Sequence, residues 1–91
     1  MSKIDIRRKH SKSLKAAKTA VDKTAAAIGK KFGIHSEWEG DTLNFHRAGA
    51  SGQIHVTKAE VRVTAELGFF MGALKPLIET EIQHQLDENF G

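Results

Sequence analysis

Ninety-one residues, 40% hydrophobic and 27% charged, predict a single domain over residues 1–91 with one modest core, and exclude both a disordered chain and a second domain. The absence of cysteine excludes disulfides, thiolate catalysis and Cys-ligated zinc. The net charge of +3 hides an asymmetry: residues 1–31 carry ten Lys and Arg against Asp5 and Asp22, whereas residues 32–91 carry four against nine Asp and Glu. A basic first third implies an anionic partner, unless its charge is satisfied within the molecule or across a dimer.

Lys3 to Arg7 alternates with period two, which predicts a short first strand with Ile4 and Ile6 on one face. Ser11 or Ser13 then caps a helix along which Leu14, Ala17, Val21, Ala25, Ile28 and Phe32 form one apolar stripe, ending at Gly33. Lys12, Lys15, Lys23 and Lys30 lie on or near the opposite stripe. Ile34, Ser36 and Trp38 alternate with His35, Glu37 and Glu39, and the pattern resumes after Gly40-Asp41 as Leu43 and Phe45, so a hairpin with a type II′ turn is expected. A looser loop from Gly49 to Gly52 leads to a strand through Ile54 and Val56. After a turn at Lys58-Ala59, Val61 to Leu67 makes the longest strand. Phe70, Met71, Leu74, Leu77, Ile78, Ile82 and Leu86 mark a second amphipathic helix, which Pro76 must kink or restart.

The predicted fold class is α+β: an antiparallel sheet in the order β-α-β-β-β-β-α with both helices on one face, of TATA-binding-protein-like or helix-grip type. Val21, Ile28, Phe45, Val63, Leu74 and Ile82 are expected in the core. No apolar run approaches the roughly 18 residues that span a bilayer, and residues 1–10 lack the apolar core of a signal peptide, so the chain reads as cytosolic.

Several segments resemble one family, the small polyhydroxyalkanoic acid system proteins of bacteria. The similar features are His10-Ser11, the block Trp38-Glu39-Gly40-Asp41-Thr42-Leu43 with Phe45, Gly52 with Ile54, Leu67-Gly68-Phe69, Ile78-Glu79, Ile82 and Leu86-Asp87. The resemblance spans nearly the whole chain. It implies a link to the synthesis or utilisation of polyester storage granules, and it carries no catalytic or ligand residue.

Two clusters stand out as candidate sites. Arg7, Arg8, Lys15, Lys23 and Lys30 form a candidate surface for an anionic partner, because Lys15 sits in a first helical turn where the helix dipole disfavours cations. A granule surface or granule protein, an anionic lipid and non-specific nucleic acid all fit such a surface; a solvated helix face is the alternative. The second cluster follows from the expected turns, which set His35 beside His46, His46 beside His55 and His55 beside Arg62, in one row on the polar sheet face. An exposed polar face, an anion or pH-sensitive contact and a metal site are its possible meanings. A homodimer through the polar face or a sheet edge is also expected.

No nucleophile-base-acid set, phosphate-binding loop or cofactor signature occurs in the sequence, so neither an enzyme nor a cofactor is expected. A small binding protein of the granule system is the leading reading. A helix-grip carrier of an acyl or hydroxyacyl ligand is the alternative, and it requires an apolar pocket near Trp38, Phe45 and Phe70.

Overall fold

Period-two alternation and three-to-four spacing produce the expected order of elements in a computed structural model that describes residues 2–90. The strands are β1 (Ser2–Lys9), β2 (His35–Glu39), β3 (Thr42–Arg47), β4 (Ala50–Val56) and β5 (Glu60–Leu67). The helices are α1 (Leu14–Phe32), the single turn α2 (Phe69–Gly72) and α3 (Lys75–Phe90). All pairings are antiparallel and the sheet order is β1-β5-β4-β3-β2, so α1 carries the chain from one edge of the sheet to the other.

Local chemistry explains the boundaries. Ser13 accepts a hydrogen bond from the backbone N–H of Ala16 and starts α1; Gly33, at φ 69°, ends it in the left-handed conformation that glycine adopts without a Cβ penalty. At the β2–β3 turn Gly40 has φ 64° and no non-glycine residue among those described has positive φ, which is the type II′ pattern expected. Thr57 closes the β4–β5 turn, its hydroxyl accepting from the N–H groups of Ala59 and Glu60.

The apolar residues of all the strands share one face, and both long helices pack on it. Ile4, Leu43, Ile54 and Val63 from the sheet meet Val21 of α1 and Leu86 of α3, all essentially inaccessible to solvent. Each such aliphatic side chain contributes about 1.5 to 3 kcal/mol of burial free energy. The two helices run antiparallel, tied by Lys31 to Glu81 at 2.5 Å and by Asn89, whose side-chain amide donates to the buried hydroxyl of Thr24 at 3.0 Å.

Three expectations need correction. Leu74 and Phe70 are not core residues, being 40% and 85% exposed. Pro76 cannot continue a helix through its missing N–H, so the chain breaks at Ala73-Leu74 and restarts at Lys75, and of the expected stripe Met71, Ile78, Ile82 and Leu86 are buried in the core. Phe45 is half-buried at the edge of the core.

The third correction is one of register. The β3–β4 connection is a two-residue turn at Ala48-Gly49, with Gly49 at φ 85°, and Arg47 opposes Ala50. Gly52 belongs to β4, where it lies under the ring of Phe45, its Cα partner. The glycines at 49 and 52 make the whole stretch look like a loop, but the first supplies the turn and the second supplies room for an aromatic ring. The turn moves two residues back and every β3 residue changes its β4 partner by four, an even shift that keeps every side chain on its expected face.

Candidate functional site

The sheet face away from the helices is uncovered and polar. His35 and His46 are partners there, with ring centroids 6.2 Å apart, and His55 opposes Arg62 as expected. His46 does not oppose His55. It faces Ser51, and His55 faces Thr42, so the expected row of His35, His46, His55 and Arg62 is two separate pairs. The cause is the tight Ala48-Gly49 turn, which moves the partner of each β3 residue four positions along β4, from His55 to Ser51 in the case of His46.

His55 is held by its neighbours. Gln53 donates its amide to Asn44 at 2.8 Å, which leaves its Oε1 as the acceptor for His55 Nε2–H at 3.2 Å; Nδ1 then accepts from the Thr42 hydroxyl at 2.9 Å. Arg62 is engaged in a two-pronged contact with Asp5, at 2.8 and 3.1 Å. Hydrogen bonds from that guanidinium hold the Asp5 carboxyl below its ordinary value and push Arg62 up. Beside these groups lies an open groove of about 550 Å³, lined by Lys3, Asp5, Asn44, His46, Gln53 and Glu66 among others. Among the described residues no three His, Asp or Glu side chains converge as metal ligands.

The basic candidates do not form one surface. Lys15, Lys23 and Lys30 are exposed on α1, within about 80° of one another at 100° per residue, and have no carboxylate partner among the described residues. Arg7 points to the opposite side of the molecule, on the polar sheet face opposite Arg62, because strand alternation sends it away from the helices. Arg8 is half-buried and paired with Asp87 of α3. Much of the charge asymmetry is satisfied internally: Lys3 pairs with Glu66, Arg8 with Asp87, Lys18 with Asp41 and Lys31 with Glu81, each joining the basic first third to the acidic remainder. The Lys31 ammonium, followed by the Gln85 amide, lowers the Glu81 carboxyl from its ordinary value.

The tryptophan block is a clamp between the first hairpin and α1. The indole N–H of Trp38 donates to Asp22 at 2.7 Å, and the Lys18 ammonium lies 4.9 Å from the ring centroid. Lys18 also donates to the Gly40 carbonyl at 2.9 Å and lies 3.3 Å from Asp41. Asp41 is thereby held in an ion pair while Glu39 remains exposed.

Sequence reasoning missed two features. His10 donates from Nε2 to the Thr57 carbonyl at 2.8 Å and accepts the Lys12 N–H at Nδ1, fastening the end of β1 to the β4–β5 turn. No local spacing reports a partner 47 residues away. The second is an exposed apolar stretch after β5, where Phe69 is 90% and Phe70 85% exposed; the unbroken amphipathic pattern disguised it as core. The apolar cavity between the sheet and helices, bordered by Phe45, Ala65, Met71 and Ile82, has a volume of about 30 Å³. That is room for one or two small groups, far less than the acyl pocket expected of a carrier.

Taken together, the fold and surfaces define a small α+β protein that presents an uncovered polar sheet face, a lysine stripe on α1 and an exposed aromatic turn. The chain belongs to the family described as Putative polyhydroxyalkanoic acid system protein, whose family model matches residues 4–90. A search of the curated proteins and a search of the solved structures returned no match.

Proposed function

We propose that this protein is a non-enzymatic accessory protein of the polyhydroxyalkanoate system that works by binding at the storage granule in the cytoplasm. The observation that carries the reading is the family match across residues 4–90, which spans both layers of the fold. Binding is favoured over catalysis because prominent titratable groups are engaged in structural contacts: Asp5 with Arg62, Glu81 with Lys31, and His55 between Thr42 and Gln53. The connectivity, with the first strand paired to the last and a long C-terminal helix on the sheet, supports a helix-grip type of fold. The uncovered polar face supports a homodimer, and the α1 lysines support an anionic contact.

Fractionating cells grown with and without storage granules, and following this protein, tests the reading. Recovery with the granules is expected. Equal recovery in the soluble fraction under both conditions overturns it.

A further inference from the structure

Residues 67–78, from Leu67 to Ile78, contain one charged side chain, Lys75, in a chain that is 27% charged overall. Leu67, Met71 and Ile78 are buried, whereas Phe69, Phe70, Ala73, Leu74, Pro76 and Leu77 are exposed. Phe69 and Phe70 stand 90% and 85% free, their rings edge to face at 5.6 Å, and Leu77 and Leu74, further along the same segment, are 51% and 40% exposed. An isolated exposed Leu needs no explanation, but two almost wholly exposed phenylalanines next to two more large apolar residues do. Folding stability does not select them.

The turn that carries these rings is anchored rather than loose. Gly68 donates to the Gly49 carbonyl at 2.7 Å, Gly72 donates to the Gly68 carbonyl at 2.8 Å, and Met71 is buried against the β3–β4 turn. The rings are therefore presented in place before any contact is made, which lowers the ordering cost of binding.

Building on the granule-binding reading above, we propose that this aromatic prow docks the protein directly on the polyester phase, with Phe69 and Phe70 inserted and Leu74 and Leu77 at the rim. A polyhydroxyalkanoate offers aliphatic side groups and ester carbonyls: apolar surface with acceptors and no donors. The prow matches that chemistry, since no carboxylate occurs between Leu67 and Ile78 and its one charged group, Lys75, is a donor. Its shape also selects the occupant. A folded partner would need two deep pockets for rings this exposed, whereas an amorphous polymer yields around them.

The test is co-sedimentation of the full chain with amorphous polyhydroxyalkanoate particles bearing no protein or lipid coat, at about 0.1 M and about 1 M NaCl. The wild type is expected to bind at both salt concentrations. F69S/F70S is expected to bind about a hundredfold more weakly or worse, from the lost burial of two aromatic side chains, with an unchanged Tm. Should the double variant lose stability, F69S and F70S singly carry the same test at about tenfold each. No binding by the wild type, loss of binding at high salt, or double-variant binding within about threefold of wild type overturns the proposal. So does a concentration-dependent wild-type dimer that F69S/F70S abolishes while polymer binding persists, since the prow is then a contact between copies. Recovery with granules in cells but not on bare particles removes this contact and leaves the granule reading standing, with a coat component as partner. Absence from granules in cells overturns the granule reading itself.

Discussion

Gly52 and Phe45 form a matched pair across β3 and β4. A Cβ added at Gly52 would lie 2.3 Å from the Thr64 carbonyl oxygen and 2.6 Å from the Phe45 ring, so backbone and side chain must both move. Gly52→Ala is expected to cost about 2 to 3 kcal/mol in chemical denaturation, the upper range for overpacking. Phe45→Ala is expected to cost about 2 kcal/mol, below the 3 to 5 of a fully buried aromatic, because the ring is only half-buried. The double variant should lose less than the sum, since removing the ring leaves only the Thr64 carbonyl to clash. Strict additivity would mean that the ring does not lie over the glycine. None of this is legible locally, because a glycine in a turn and a glycine beneath a ring look alike in sequence.

At the scale of elements, α1 has two functions on two stripes. Its apolar stripe was legible from spacing alone, as was its end at Gly33, whereas the choice of Ser13 over Ser11 as its cap is made by the bond to the Ala16 N–H. Its polar side is divided: Lys18 and Asp22 hold the tryptophan hairpin, and Lys31 holds α3, while Lys15, Lys23 and Lys30 have no carboxylate partner among the described residues. Reversing those three to Glu is expected to leave Tm within a few degrees of wild type, because exposed charges contribute little to stability. The same variant should lose binding to phosphatidylglycerol vesicles that the wild type shows at about 0.1 M salt and loses at about 1 M. Undiminished vesicle binding by the variant would reduce the stripe to a solvated face. Sequence reasoning placed these three lysines correctly on one stripe and wrongly grouped them with Arg7, which the pleat of β1 sends to the far side of the sheet.

Across the whole molecule, ion pairs link the basic first third to the acidic remainder, and two carboxyls carry a pH signature. Asp5 and Glu81 both titrate below their ordinary values in the folded protein, through hydrogen bonds from Arg62 and Lys31 respectively. A lowered carboxyl adds stability at pH values above its unfolded-state value, about 4, because the unfolded chain then binds protons more readily than the folded one. That stability disappears as pH falls through the folded-state values. The Tm difference between wild type and D5N/E81Q is therefore expected to be constant from pH 7 to 5 and to close below about pH 4. A difference that instead grows on acidification would contradict these pairings.

The sequence by itself determined the class of fold, the order of the strands and long helices, the glycine cap that ends α1, the first hairpin turn and the inward face of every strand. These follow from short-range rules, since periodicity, capping and turn preference act over a few residues. Only the tertiary structure decided the β3–β4 register, the separation of the histidines, the partners of Lys18, His10 and Arg8, and the exposure of Phe69, Phe70, Leu74 and Leu77. Each of those depends on residues distant in sequence. A register shift of four leaves the hydrophobic pattern unchanged, and a helix restarted at a proline turns apolar residues outward without altering their spacing.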